Sequence, residues 1–212
     1  SSADPKLVGP GAVRKLGHTN YDVADQLSNM GMEAIHPNAA KILRRSDIPL
    51  RVTNAFDPDD PGTLIDDQPA EQPGVEIVTG LDVVALELFE QDMVGVKGYD
   101  ATILDVLKRH NVWIVSKSSN ANTITHYVHA SLKTVKRVVN DLEKAYPSAE
   151  VSARSIAIVS AIGRDLSGVH PLGRGLRALE EAGIDVIAAQ QTSRHVDVQF
   201  AVPRDASDSA VA

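Results

Sequence analysis

The sequence predicts an α/β (α+β) fold built largely from two ferredoxin-like βαββαβ units. The main observation is an internal repeat, in which apolar residues recur 72 residues further along the chain, as in the pairs Leu104/Leu176, Leu107/Leu179, Ile114/Val186 and Ile124/Val196. A second observation is that each copy reads in the order strand, helix, strand, strand, with alternating apolar residues in the strands and helical spacing between them. Units of this size place their helices on one face of an antiparallel sheet.

The residues before Gly74 form a helix-rich block that is short of core on its own. Asn20 is a suitable N-cap for a helix from about Tyr21 to Met30. A second helix is predicted from Pro37 to Arg45, and a strand is predicted at Leu50 to Thr53.

The stretch from Asp57 to Gly74 is interpreted as a connection between two parts of the chain. It combines six carboxylates with four of the 11 prolines. Proline removes backbone donors and clustered carboxylates repel one another, so the stretch is unsuited to a packed core. One short strand at Gly62 to Ile65 fits within it, and we place a domain boundary near Gly74.

The two repeats follow this boundary. Their further predicted elements are strands at Glu76–Val78, Val83–Phe89, Val112–Val115 and Ile184–Ile187, a helix at Leu132–Ala145 with Leu132, Val135, Val139 and Leu142 on one face, and a last helix from about Asp205. The predicted domains are residues 1–73, 74–152 and 153–212, and the short strand at 76–80 completes the third domain.

The composition excludes several classes of protein. There is no cysteine, which excludes a disulfide framework, a thiol nucleophile and cysteine-ligated zinc, and fits a reducing compartment. The net charge of −7 repels nucleic acid and anionic membranes, and no apolar run reaches the roughly 18 residues of a membrane span. The seven histidines show no metal-ligand spacing. We therefore expect a cytoplasmic protein without a metal site, a nucleic-acid partner or a membrane partner.

The turn at residues 92–100 leads from a strand into a helix and is the first candidate binding site. Glycine lets backbone amides approach a bound group, and a helix N-terminus favours a carboxylate. The second repeat has a similar turn at residues 163–170, although a tight turn alone also requires glycine. Uncharged hydrogen-bonding residues at the ends of the following strands suit a free amino acid. The predicted effector-binding residues are Met93, Gly98, Tyr99, Asp100, Ser119, Asn120, Asn122, Gly168, Val169, Gln190 and Gln191.

Three further features have both a structural and a functional interpretation. The segment from Ser2 to Lys6 is typical of an exposed loop, although its lysine is able to meet a phosphate. His36 is interpreted either as a buried, hydrogen-bonded histidine or as a catalytic one. The helix at 132–145 has a basic face, which in an acidic chain indicates a solvated surface rather than a polyanion site. No catalytic residue is assigned.

Several stretches together resemble the C-terminal half of aspartate kinases, over essentially the whole chain. They are SADPK at residues 2–6, NMGMEAIHP at 29–37, IPLRVTNAF at 48–56 and PGTLI at 61–65, followed by the two repeats. The stretch TNYDVADQ at residues 19–26 is similar to the subgroup associated with ectoine biosynthesis.

The resemblance implies an enzyme that transfers the γ-phosphoryl group of ATP, with magnesium, to the side-chain carboxylate of aspartate. This reaction begins the synthesis of lysine, threonine and methionine, or of ectoine. The implied fold is the C-terminal end of an amino-acid-kinase domain followed by two ACT domains, which bind end-product amino acids and dimerise. Asp4, Pro5 and Lys6 would then be ATP-side residues, and the effector would be threonine, lysine, methionine or ectoine.

Three departures from the family pattern affect the prediction. The 212 residues contain no Lys-Phe-Gly-Gly-Thr-Ser segment, which handles the phosphates and aspartate, so we expect this chain to be inactive alone and to bind ATP or magnesium weakly. Glu33 stands where many members carry a lysine near ATP. Val115 stands where lysine-sensing members carry an aspartate, and an apolar side chain does not balance an ammonium group.

Two functional classes therefore remain. The chain is either the regulatory portion of an aspartate kinase, assembled as a homo-oligomer, or a free-standing ACT module that senses an amino acid and regulates a partner enzyme. The kinase-like stretches before Gly74 favour the first class, because a pure sensor has no need of them.

Overall fold

The computed structural model describes residues 14–32 and 35–212 of the chain. The predicted ATP-side residues Asp4, Pro5 and Lys6 lie outside the described residues, and so does Glu33. The described residues form two sheets with helices, in agreement with the predicted mixed α/β class.

The described part of the chain contains nine strands and six α-helices. The strands are β1 (His18–Asn20), β2 (Leu50–Val52), β3 (Thr63–Asp66), β4 (Ile77–Phe89), β5 (Trp113–Ser119), β6 (Thr123–His129), β7 (Glu150–Ile162), β8 (Ala188–Gln191) and β9 (Asp197–Pro203). The helices are α1 (Tyr21–Asn29), α2 (Pro37–Arg45), α3 (Tyr99–Arg109), α4 (Leu132–Ala145), α5 (Pro171–Glu181) and α6 (Ser207–Val211).

The chain divides into two compact units, one inserted into the sequence of the other. The inserted unit comprises Asp82–Ala157. The composite unit combines the described residues up to Leu81 with Ile158–Ala212. Strands β4 and β7 each continue from one unit into the other.

A small sheet of the composite unit has the strand order β1-β3-β2, with β1 parallel and β2 antiparallel to β3. Helix α1 begins at Tyr21 because the side-chain oxygen of Asn20 accepts a hydrogen bond from the amide of Val23 (3.0 Å). Tyr21, Ala40 and Ile65 form the buried centre of this block. Both helices and both strands predicted here are confirmed, within one residue at each end.

The larger sheet of the composite unit has the order β4-β7-β9-β8, with β8 and β9 antiparallel. Helix α5 begins and ends 72 residues after α3, as the repeat predicts. The predicted strand at Ile184–Ile187 is wrong, because β8 begins only at Ala188. The amide of Ile184 instead donates to the carbonyl of Leu179 (2.8 Å) and closes the end of α5.

The inserted unit has the strand order β5-β6-β4, with each neighbouring pair antiparallel. Helices α3 and α4 share one core with this sheet, in which Leu86, Leu88, Ile103, Leu107 and Leu142 are all at most 2% exposed. This is the helix-over-antiparallel-sheet arrangement that the sequence predicts.

Two details of the prediction are corrected. Leu132 is 69% exposed at the start of α4, so it is not part of the buried face as predicted. That face is formed by Val135, Val138 and Leu142, which lie on one helical stripe. The two strands predicted within residues 76–89 are one strand, β4. Gly80 and Asp82 weaken the local strand signal, whereas β4 has sheet neighbours on both sides.

Two glycines of helix α5 provide a matched test of its packing. A Cβ on Gly175 would lie 2.3 Å from the ring of Phe200, whereas a Cβ on Gly173 would meet nothing within 4 Å. We expect Gly175→Ala to lower the free energy of unfolding by about 1–3 kcal/mol through overpacking. Gly173→Ala is the control and should raise it by up to about 1 kcal/mol, because alanine has the higher helix propensity. Urea denaturation measures both, and equal effects would contradict this packing.

Candidate functional site

The turn between β4 and α3 is anchored by the carboxylate of Glu90. Its Oε2 accepts a hydrogen bond from the hydroxyl of Ser148 (2.5 Å), and its Oε1 accepts one from the amide of Asp92 (3.2 Å). These hydrogen bonds lower the pKa of Glu90, so the carboxylate remains charged at neutral pH. A single 3₁₀ turn follows, and its last residue, Met93, is buried.

Helix α3 has an N-terminus that no side chain caps. Its N-cap, Gly98, adopts the left-handed conformation (φ 95°), and a Cβ there would meet no atom within 4 Å. The uncapped amides and the positive end of the helix dipole are suited to a carboxylate. The structure thus brings the predicted residues Met93, Gly98, Tyr99 and Asp100 together on one turn. The space beside Gly98 in this turn is open.

A charged cluster lies beside this N-terminus. Asp100 forms an ion pair with Lys117 of β5, and its Oδ1 lies 3.2 Å from Nε2 of His126 in β6. His126 is fully buried, and neither of its ring nitrogens makes an aligned hydrogen bond within the described ranges. Burial lowers the pKa of His126; the carboxylate of Asp100 opposes this shift and the charge of Lys117 adds to it. The imidazole is therefore neutral at neutral pH.

The sequence analysis missed Lys117 and His126. His126 alternates with Ile124 and Val128 on the face of β6 that packs under the helices, so a polar residue at a core position was the available signal. Lys117 is the direct cross-strand neighbour of His126. The pairing of Lys117 with His126, unlike the alternation, is not visible until strand register is known.

The predicted residues after β5 form the β5–β6 turn. The side-chain oxygen of Asn120 accepts hydrogen bonds from the amides of Asn122 (3.1 Å) and Thr123 (2.9 Å). The carbonyl of Asn122 accepts from the amide of Glu90 (2.9 Å), so this turn lies beside the anchor of the α3 turn. Ser119 is exposed at the end of β5. Asn120 thus has a structural role in this conformation.

The corresponding turn of the second repeat is already in contact with the chain's own backbone. The amide of Gly74 donates to the carbonyl of Asp165 (2.8 Å), and the amide of Glu76 donates to the carbonyl of Ile162 (2.9 Å). Gly168 is left-handed and open, and Val169 follows it before the N-cap His170.

The two predicted glutamines of the second repeat contact neighbouring side chains. Gln190 donates to Gln199 across the β8–β9 pair (2.9 Å), and the amide nitrogen of Gln191 lies 3.4 Å from Nδ1 of His195.

Other features have simpler roles. His36 is exposed, and its Nδ1 accepts a hydrogen bond from the amide of Asn38 (3.3 Å), so it caps α2.

Within residues 14–32 and 35–212, no group of three or more His, Asp or Glu side chains is arranged to hold a metal ion. The same residues form no helix that is long and apolar enough to cross a membrane.

Comparisons with known proteins extend these observations. A model of the amino acid kinase family matches residues 1–54. Aspartate kinase Ask_Ect of Stutzerimonas stutzeri is 50% identical over 214 aligned residues, covering 100% of this chain and 45% of that protein. The chain therefore spans less than half the length of this relative.

Two solved structures share the fold. E. coli aspartokinase III in complex with lysine and aspartate superposes with a TM-score of 0.81 at 21% identity, covering 99% of this chain and 47% of that one. The regulatory subunit of aspartate kinase from Thermus flavus superposes with a TM-score of 0.54 at 17% identity, covering 65% of this chain and 94% of that one.

The buried imidazole predicts a dependence of stability on pH. Because the pKa of His126 is lower in the folded chain than its unfolded value of about 6.5, the unfolded chain binds the proton more readily. Stability should therefore fall as the pH drops below about 6.5, by at most about 1.4 kcal/mol per pH unit from this group. His126→Leu should remove this part of the slope, whereas His129→Gln at the exposed end of β6 should keep it. Urea denaturation between pH 5 and 8 measures the slopes, and an unchanged slope in His126→Leu would count against a buried neutral histidine.

Proposed function

We propose that this chain is the regulatory portion of an aspartate kinase and that it binds an amino-acid effector; an aspartate kinase of Stutzerimonas stutzeri is 50% identical to it over its whole length. Aspartate kinases are transferases that use ATP. The structural similarity to a protein named as the regulatory subunit of an aspartate kinase supports the assignment of a regulatory portion.

The open N-terminus of α3 is the observation that carries the proposal. A free amino acid has a carboxylate, which the uncapped amides after Gly98 are placed to bind. It also has an ammonium group, which requires an acceptor. The acceptor that we propose is the carboxylate of Asp100 in the first turn of α3, whose Oδ1 also lies 3.2 Å from Nε2 of His126.

The candidate effectors are threonine, lysine, methionine and ectoine. The E. coli aspartokinase III structure contains lysine, which makes lysine a reasonable first ligand to test. In this chain the buried side chain at position 115 is valine, and Lys117 already forms an ion pair with Asp100. An additional cationic side chain is therefore poorly balanced here, and neutral effectors are favoured.

The catalytic reaction is assigned to the larger enzyme. We propose that the parent enzyme transfers the γ-phosphoryl group of ATP, with magnesium, to aspartate in the cytoplasm, with Asp4, Pro5 and Lys6 on the ATP side. We further propose a homo-oligomer, because β5 and β8 are edge strands among the described residues.

A free-standing amino-acid sensor is the second candidate function. The match of the amino acid kinase family model to residues 1–54 favours the kinase-linked role, because a sensor without a kinase has no need of that block.

Effector binding is tested by thermal unfolding. A bound amino acid stabilises the folded chain by mass action and so raises the melting temperature. At a ligand concentration of 100 times Kd the free energy of unfolding increases by about 2.7 kcal/mol. Threonine, lysine, methionine and ectoine are each tested at millimolar concentration against glycine as a control. No shift with any of the four would contradict a working effector pocket.

The repeat that binds the effector is identified by two matched glycine variants. Gly98 and Gly168 are both left-handed and both face open space, so valine strains the backbone similarly at either position. Gly98→Val should abolish the ligand-induced shift because its side chain stands before the α3 amides, and Gly168→Val should keep it. The reverse pattern would assign the ligand to the second repeat.

The purified 212-residue chain is expected to release no ADP from ATP in the presence of magnesium and aspartate, because it contains no Lys-Phe-Gly-Gly-Thr-Ser segment. A coupled ADP assay measures this. Turnover at the level of a complete aspartate kinase would show that these residues are catalytic by themselves.

A further inference from the structure

Arg164 joins parts of the composite unit that are distant in sequence. It lies in the turn after β7, which is the second repeat's counterpart of the α3 turn. Its Nε donates to Oε1 of Glu76 (2.7 Å), and its Nη1 lies 3.2 Å from Nδ1 of His18 in β1. Nε2 of His18 in turn lies 2.8 Å from Oδ1 of Asp66 in β3. The four side chains form one continuous chain of contacts.

The direction of these hydrogen bonds follows from the chemistry of the donors. A guanidinium group has donors only, so Nδ1 of His18 must accept from Arg164. The ring proton is then on Nε2, where it is donated to Asp66. Burial alone would raise the pKa of Asp66, but the bond from His18, the amide of Gln68 and the charge of Arg164 together lower it. Each group therefore fixes the orientation of the next.

The ion pair between Arg164 and Glu76 is largely shielded from solvent. The side chains of Arg164 and Glu76 are each only 15% exposed. The second carboxylate oxygen of Glu76 is buried and accepts no hydrogen bond from the residues that the structure describes. Arg164 is therefore the main balance for this carboxylate, and its removal leaves a poorly solvated negative charge.

The turn that carries Arg164 is also fixed in its backbone. A Cβ on Gly163 would lie 2.1 Å from the carbonyl oxygen of Gly74. The turn thus cannot shift without moving the segment 74–76, and Arg164 connects any such shift to β1 and β3. Strand β1 lies within residues 1–54, which match the amino acid kinase family, and β3 pairs with β1.

We propose that Arg164 is a positioning residue that couples the turn of the second repeat to strands β1 and β3 of the small sheet. This inference rests on the proposed regulatory function, in which a change at the turn of the second repeat would act on β1 and β3 through Arg164. The turn of the second repeat then serves as a connection inside the composite unit.

Hydrogen exchange on the 212-residue chain tests the physical coupling without any effector. Arg164→Gln should speed exchange of the amides in β1 and β3 roughly tenfold, as loss of a charge-assisted hydrogen bond implies. Arg177→Gln, an exposed arginine on α5, is the control and should leave these amides unchanged. Equal exchange in the two variants would overturn the proposal.

The effector response of the complete kinase that carries this region tests the functional part. Arg164→Lys keeps a positive charge beside Glu76, so the fold is retained, but an ammonium group does not reproduce the planar fork that reaches both Glu76 and His18. We expect effector affinity to stay within about twofold of wild type while the effector-induced change in activity falls by more than about half.

The possible outcomes separate the two proposals. A full effector response in Arg164→Lys would overturn the positioning role. A wild-type kinase that responds to none of the four effectors would overturn the proposed function, whereas the exchange experiment would still decide whether Arg164 holds β1 and β3.

Discussion

A close approach of two backbone segments determines how the composite unit is built. The carbonyl oxygen of Gly74 occupies the space that a side chain at position 163 would need, so the contact exists only because residue 163 is glycine. This contact allows the two hydrogen bonds from Gly74 and Glu76 to the end of β7 and its turn. It also brings Glu76 within reach of Arg164, and through Arg164 the small sheet is joined to the second repeat.

The two repeats share one architecture but use their turns differently. In the inserted unit, the turn ends in an uncapped helix beside a buried histidine and an ion pair, which is an arrangement with unsatisfied polar groups. In the composite unit, the equivalent turn is filled by the chain's own backbone. Buried polar atoms without partners are costly in a folded protein. Near the first turn, Asp100 and His126 have such atoms beside the helix N-terminus, whereas near the second turn Glu76, which also has one, is already paired with Arg164.

The sequence predicts the local features of this fold well. Helices α1, α2 and α4 were predicted to within a residue because caps and apolar spacing are encoded within a few neighbouring positions. The 72-residue offset correctly relates α3 to α5 for the same reason. The turn that leads through Gly98 into α3 was predicted because glycine before a helix is a local signal.

Features that depend on contacts distant in sequence were not predicted. The bonds of Arg164 to His18 and Glu76 join residues 146 and 88 positions apart, and no local pattern marks them. The cluster of Asp100, Lys117 and His126 depends on the register of β5 and β6. The continuity of β4 depends on its sheet neighbours.

The composite unit, whose two segments flank the inserted unit in the sequence, also has a consequence for biosynthesis. A ribosome adds about 5–20 residues per second, so the inserted unit is complete and able to fold while the earlier segment still lacks its C-terminal partner. The earlier segment therefore completes its core only after Ile158–Ala212 have been synthesised.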